Sequence, residues 1–387
     1  MKVAIIHDWL TGMRGGEKCL EVFCDLFPDA DVFTLLHNKG SVSPIIEKMN
    51  IHTSMIQNFP LPFRAYRFYL PFFPMVIEKF DLRGYDLVIS SSHCVAKGFR
   101  PNPDTLHICY CYTPMRYVWD MSHVYFNKGT MRFFGHSIVP FFLNYLRMWD
   151  IYSNERVDRF VSISNHIARR IWKHYRRTSD VISPPVNCGQ FEVGRKAEDF
   201  YLIVSAFAPY KRIDLAVQAF NKLGLPLKVV GTGQEKKRLI AGAKKNVEFL
   251  GWLSDKDLAD HYARCKAFVF PAEEDFGIAP LEAQVSGKPV IAYGAGGVLE
   301  TVQGFDLTGN LAEDKARMKD GRYTGLFFPR QTAEDIITAV RTFEEVGAEF
   351  DPIHIAETVK KFDKEEFKRT FRDYVAKEYA RFQREAA

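Results

Sequence analysis

FVFPAEEDFGIAPLEAQVSG, residues 268–287, is the stretch on which the reading of this chain turns. Its apolar run, residues 268–270, stops at Pro271, as a strand buried on both faces of a parallel sheet does. An acidic loop follows. Gly277, with Pro280 inside the next turn, marks a helix start, and Gly287 marks its end. Glu274 falls on the loop at the carboxyl end of the strand, and Glu282 lies one helical turn inside the helix. Open parallel sheets bind ligands at that end, where helix N-termini present free N–H groups. A buried carboxylate aimed there costs free energy unless a ligand hydroxyl or a cation uses it. The spacing, with Phe276 and Gly277 between the two acids, therefore points to ligand chemistry; the plainer reading is two solvated carboxylates at a helix start.

Outward from this stretch, the second half of the chain repeats the same unit. Strands are predicted at 201–205, 227–230, 247–250, 267–270, 289–292 and 325–328, and helices at 214–223, 235–243, 255–264, 278–286 and 333–346. Alternation of this length predicts a doubly wound parallel sheet. Lys211 and Arg212, the Gly231-Thr232-Gly233 turn, the Gly251-Trp252-Leu253 turn and the glycines from Gly294 to Gly297 each follow a strand, so all converge on one sheet edge. Asp255-Lys256-Asp257 has the look of a metal motif, but it opens a helix after Ser254, where acids favour the N-terminus in any case. No metal site is expected.

The first half begins the same way. A strand at 3–6 runs into His7-Asp8-Trp9 and a turn carrying Gly15 and Gly16, before a helix at 17–26. Strand, glycine turn and helix make a phosphate cradle or a purely structural turn. Further strands are predicted at 31–35, 87–90, 107–111 and 160–163, two of which deliver Ser91-Ser92-His93 and Tyr112-Thr113-Pro114 to one edge. A long helix kinked at Pro140 is expected over 133–149, a helix capped by Ser164 or Asn165 runs to Tyr175, and 182–187 reads as a stiff linker.

These motifs resemble those of the family 4 retaining glycosyltransferases, whose Glu-x-Phe-Gly-x-x-x-x-Glu signature is met by Glu274, Phe276, Gly277 and Glu282. The resemblance extends over nearly the whole chain. It implies the α/β GT-B architecture, two doubly wound Rossmann-like domains facing across a cleft. The expected domains are 1–187 on the acceptor side, 188–362 for the nucleotide sugar, and a helix at 363–387 returning to the first. It also implies site roles. Glu274 meets the donor sugar, and Glu282 holds the ribose. Residues resembling Trp252 and Leu253 meet the nucleobase, and Gly296 and Gly297 approach the sugar. Gly15 and Gly16 approach donor and acceptor, and Gly231 and Gly233 join the donor edge. Lys211 and Arg212, with the N–H groups of Phe276, Gly277 and Ile278, face the departing diphosphate. Two departures stand out. Tyr112 occupies a catalytic slot that is often His in the family, where a Tyr can hold a sugar hydroxyl but not supply an imidazole's proton chemistry, leaving His93 and His107 as substitutes for that; Ala206 occupies the slot of a phosphate-binding Arg, leaving Arg212 to supply the charge. The strings around Tyr112 and Lys211 look most like bacterial mannosyltransferases of polysaccharide assembly. The implied reaction is metal- and cofactor-independent transfer of mannose from GDP-mannose to a glycan or lipid-linked acceptor. A UDP-sugar enzyme and a non-catalytic nucleotide-sugar-binding scaffold are the alternatives.

Composition sets the bounds. The chain has 387 residues, 47% hydrophobic and 26% charged, a size that suits two domains. Net charge is +5, and it is uneven: residues 1–187 hold 22 Lys and Arg against 16 Asp and Glu, a surplus of six. A basic first half suits an anionic partner. Residues 59–80 interleave aromatics and prolines with Arg64 and Arg67, which fits either a bilayer headgroup surface or a loop packed on its own domain. No nucleic-acid recognition fold accompanies that stretch. Seven scattered cysteines, a chain opening directly into a strand, and no spanning apolar run predict a cytoplasmic protein, soluble or peripheral on the inner face of the membrane.

Overall fold

The computed structural model describes residues 1–120, 138–318 and 322–386. The chain divides into two compact units, Met1–Pro185 with Glu365–Ala387, and Val186–Lys364.

In the first unit, the strands Val3–His7 (β1), Asp31–Thr34 (β2), Asn50–Thr53 (β3), Leu87–Ser92 (β4), Leu106–Cys111 (β5), Arg159–Ser162 (β6) and Asp180–Val181 (β7) form a parallel sheet in the order β3-β2-β1-β4-β5-β6-β7. The order reverses between β1 and β4, so the crevice that doubly wound sheets use for ligands opens there. β1, β4 and β5 are buried along their whole length, which is why, apart from His7 and His107, they read as apolar or small-residue runs. β3 and β7 escape sequence reading because they are exposed edge strands without an apolar alternation. The first helix, Gly15–Leu26 (α1), starts two residues earlier than its apolar pattern, so both glycines lie in its first turn. The helix Ile138–Tyr152 (α2) covers the described part of the long helix expected over 133–149. Residues 133–137 lie outside the described residues, and the kink expected at Pro140 lies outside them with the turn that precedes it. Asn165–Tyr175 (α3) is capped by the Ser164 hydroxyl, which accepts from the Ile167 N–H at 3.1 Å. The C-terminal helix, Lys364–Ala386, docks on this unit through Phe367 and Phe371, packed around Phe23 and Tyr110. Arg159–Glu378 and Lys368–Asp25, both at 2.6 Å, pin it further.

The second unit repeats the plan. Tyr201–Val204 (β8), Leu227–Val230 (β9), Val247–Gly251 (β10), Phe268–Phe270 (β11), Val290–Tyr293 (β12), Gly304–Asp306 (β13) and Gly325–Phe328 (β14) form a parallel sheet in the order β10-β9-β8-β11-β12-β14-β13, reversing between β8 and β11. Alternation along β11 feeds two cores. Val269 packs with Ile203, Val229 and Ile291 beneath the helices Ile213–Leu223 (α4) and Ala333–Val346. Phe268 and Phe270 pack with Leu202, Tyr262 and Ala283 on the other face, beneath Asp255–Arg264 (α5) and Ile278–Val285 (α6). Each fully buried Phe or Val stabilises the unit by about 1.5–3 kcal/mol over its exposed state.

Candidate active site

At the reversal point of the second unit, the loops after β8 and β11 meet. Lys211, on the short turn Pro209–Lys211, places its ammonium against Glu274 Oε1; the two side chains are only 12% and 22% exposed. The Glu274 main chain is fixed as well. Its carbonyl accepts the Gly297 N–H at 2.7 Å, and it forms a β-bridge with Gly296. The absence of side chains at 296 and 297 is what allows this approach. A Cβ on Gly296 (φ +79°) would fall 2.5 Å from the Glu274 carbonyl oxygen, and one on Gly297 would fall 2.3 Å from that of Asp275. Gly277 (φ +94°) then turns the chain into α6, where Ile278 is the first residue. Phe276 is buried against Phe362, with ring centroids 5.7 Å apart, so its ring packs the loop from beneath.

Glu282 lies in the second turn of α6, 8% exposed, and among its partners is the Tyr262 hydroxyl, which donates to Oε2 at 3.0 Å. Gly231 and Gly233 lie in the turn after β9, which the Phe207 N–H ties to the loop after β8 by donating to the Thr232 carbonyl at 2.8 Å. At the end of β10, Leu253 packs on the core while the Trp252 indole is 79% exposed, a free flat surface suited to stacking. Arg212 is not drawn to Lys211 and Glu274 in the same way. It adopts a left-handed backbone (φ +52°), and its Nε lies 3.4 Å from Asp214 Oδ1. Ala206 is exposed beside this turn. The Asp255–Asp257 string behaves as a helix start: Ser254 caps α5, accepting the Asp257 N–H at 3.2 Å and donating to its carboxylate at 2.7 Å. Among the described residues no group of three or more His, Cys, Asp or Glu is placed to hold a metal.

The first unit gathers a second polar group at its own reversal point. Tyr112 donates its hydroxyl to the Gly16 carbonyl at 3.1 Å and lies 2.9 Å from Ser91 Oγ, which lies 2.9 Å from His7 Nδ1. Donor arithmetic gives the chain a direction: His7 Nδ1–H to Ser91, Ser91 to Tyr112, Tyr112 to Gly16. Burial, aided by the neighbouring His93, pulls the His7 imidazole down to about 3, so it is neutral, and its buried Nε2 has no partner among the described residues. Beside it, the fully buried Asp8 accepts four successive N–H groups, from His93, Cys94, Val95 and Ala96, at 2.6–2.9 Å. Its Oδ2 also lies 3.0 Å from His93 Nδ1. Burial works against its charge, but the His93 charge and hydrogen bonds outweigh it and hold the carboxyl at about 2. His93 is 26% exposed. His107 is a different case. It is buried between Ser90 Oγ at 2.8 Å and the Arg156 carbonyl at 2.7 Å, against Phe99, and burial lowers it to about 3. It is a core histidine, which removes it as a substitute for the missing family residue.

Asp8, His7 and Tyr262 are the residues whose part in these clusters sequence reasoning missed. Asp8 carried a usable signal, an acid directly after a strand buried on both faces.

Comparison with known proteins bears on the family and the fold. Residues 190–349 match the glycosyl transferases group 1 family. An uncharacterized glycosyltransferase of Methanocaldococcus jannaschii is 29% identical over 156 residues, covering 39% of this chain and 44% of that protein. The O-antigen chain mannosyltransferase C of Escherichia coli is 32% identical over 102 residues, covering 24% and 28%. The chain thus spans less than half the length of these curated relatives. Among solved structures, Anabaena HepE in complex with UDP and glucose superposes with a TM-score of 0.67 at 15% identity, covering 97% of this chain and 99% of that one. The second unit therefore carries a glycosyl transferases group 1 domain, and the chain has the GT-B fold.

Proposed function

We propose that this protein is a glycosyltransferase that moves a hexose from a nucleotide sugar to a glycan or lipid-linked acceptor in polysaccharide synthesis, with retention of anomeric configuration and without a metal. The observation that carries the reading is the Lys211–Glu274 pair, held by glycine-mediated backbone contacts at the reversal point of the second sheet. The departing diphosphate gains negative charge in the transition state, and the anomeric carbon gains positive charge. Lys211 and the N–H groups at Phe276, Gly277 and Ile278 offset the first, and Glu274 the second. Arg212 adds charge to the diphosphate once drawn from Asp214. Glu282 takes the ribose and Trp252 the base. In the first unit, Gly15 and Gly16 line the acceptor side, and His93, oriented by Asp8, supplies the imidazole that Tyr112 does not.

The donor we favour is GDP-mannose, supported by the likeness to mannosyltransferases. UDP-hexose is the second reading, supported by UDP and glucose in the HepE structure. A panel of nucleotide sugars scored by thermal shift tests both, since a ligand at 100 times its Kd adds about 2.7 kcal/mol. Turnover of the binding donor, with the product's anomeric configuration read by NMR, then tests transfer and retention. Binding without turnover would leave a scaffold.

We also propose that the first unit rests on an anionic bilayer. Phe68, Phe72 and Met75 are 64%, 50% and 47% exposed on a run, residues 59–77, that holds no acidic residue. The Arg67 guanidinium lies over the Tyr66 ring, and the side chain of Arg64 lies outside the described residues. No described helix is long and apolar enough to cross a membrane.

A further inference from the structure

Tyr262 is a fully buried polar side chain tied to the candidate nucleotide site. It stands near the C-terminal end of α5, 0% exposed, its ring packed between Phe191 and Phe268 with centroids 5.8 and 5.7 Å away. Both contacts are apolar, and a buried phenol needs a partner for its hydroxyl. That partner is Glu282 Oε2 at 3.0 Å. Burial and the adjacent carboxylate push the phenol well above its usual range, so it stays protonated and donates at every working pH. A carboxylate on an isolated helix turns about its terminal torsion, which is broad and soft. One held at Oε2 by a rigid aromatic donor from a neighbouring helix does not. The contact therefore sets the plane of the Glu282 carboxylate and with it the direction of Oε1.

We infer that Tyr262 is a positioning residue that presets Glu282 for a vicinal diol, and so makes the second unit select ribonucleotides over deoxyribonucleotides. The inference rests on the ribose assignment of Glu282 made above and adds its cause. A carboxylate accepts both hydroxyls of a cis-diol only in one orientation, and a preset group avoids the ordering cost that a free one meets on binding. The same side chain is too deeply buried to touch the nucleotide itself.

The test is a ligand cycle by calorimetry on the full-length protein, using GDP and UDP against their 2′- and 3′-deoxyribose counterparts. In the unaltered protein the ribose forms bind more tightly. Tyr262→Phe keeps the ring and its packing and removes only the donor. It is expected to weaken the ribose diphosphates about tenfold while shifting the deoxy forms less than twofold. Because the readout is a ratio within one variant, a general loosening of the unit cancels. Equal losses for ribose and deoxyribose forms would make Tyr262 a packing residue and overturn the inference, as would an unchanged ratio. Glu282→Ala separates the two layers. If it abolishes ribose preference while Tyr262→Phe does not, positioning is wrong and the ribose assignment stands. If Glu282→Ala leaves the preference intact, the ribose assignment fails and the inference falls with it.

Discussion

Separating the Lys211–Glu274 pair is the most direct test of the second unit's chemistry. The pair lies between two energetic regimes. Exposed ion pairs contribute about 0–1 kcal/mol, whereas removing one partner of a buried pair costs about 3–5 kcal/mol. With exposures of 12% and 22%, the position is mostly but not fully buried, so Lys211→Met is expected to cost about 1–2 kcal/mol of stability. Glu274→Gln keeps shape and hydrogen-bonding capacity and should cost less, about 0.5–1 kcal/mol. The double variant should cost less than the two together, because each single change strands the other's charge. Turnover is expected to behave differently. In the proposed mechanism each residue faces its own developing charge in the transition state, so each single variant should lose about 10²–10³-fold, equivalent to about 2.7–4 kcal/mol. Glu274→Gln should leave nucleoside diphosphate affinity near that of the unaltered protein, since its partner charge exists only in the transition state. Urea unfolding of the three variants, alongside turnover of the donor found by thermal shift, measures both. Strict additivity in stability would mean the ion pair contributes nothing. Ordinary turnover in Glu274→Gln would remove that residue from the mechanism.

Four further outcomes are expected. Glu282→Ala should weaken free nucleoside diphosphate as well as the nucleotide sugar, by about 1.5–3 kcal/mol, in a direct titration of each. Stability should fall with pH well before the carboxylates titrate. His7 and His107 are held neutral down to about 3, against an ordinary value of 6.5, so below pH 6.5 the unfolded chain takes up protons that the folded unit refuses. Each histidine then lowers stability by about 1.4 kcal/mol per pH unit between about pH 6 and 4, with Asp8 adding loss in the same direction below pH 4; urea midpoints for the protein and for His107→Gln check the slope, which should be shallower in the variant. Phe68→Ser with Phe72→Ser should reduce co-sedimentation with anionic liposomes, and transfer should survive EDTA; unchanged sedimentation would favour a loop that simply packs on its own unit, and loss of activity restored by magnesium would contradict the cation-and-backbone account.

What the sequence revealed depended on how much each residue's local context determined it. The central strands of both sheets were legible because burial on two faces forces unbroken apolar runs, as in residues 268–270 and 325–328. The edge strands β3, β7 and β13 were not, because each is short and lacks an apolar run, whereas the edge strand β10 was legible through Val247, Phe249 and Leu250. Glu274 and Lys211 were named from separate motifs 63 positions apart, and the topology brings their strands together at the reversal point. Their mutual contact could not be read from either motif, because strand order is a long-range property. Tyr262 was invisible for a related reason: a tyrosine in an amphipathic helix reads as core, and only the neighbouring helix shows what its hydroxyl meets.

The substitution at position 112 shows why a motif slot and a role need separate arguments. A histidine there would offer a ring nitrogen to whatever occupies the crevice. The tyrosine instead completes a directed chain from His7 through Ser91 to the Gly16 carbonyl, and so ties the ends of β4 and β5 to the first turn of α1. Its hydroxyl has one proton, and Gly16 takes it; its accepting capacity is turned toward Ser91. The phenol also stays neutral, because burial pushes it far above its usual range. Among the described residues, His93 has both exposure and an orienting partner at this edge. The Asp8 carboxylate can fix its Nδ1 because four backbone N–H groups hold that carboxylate immobile in the interior. The geometry thus separates two functions that a single histidine would combine. Tyr112 holds the glycine turn in place, and the carboxylate–imidazole pair one strand away holds the ring proposed above for the acceptor side.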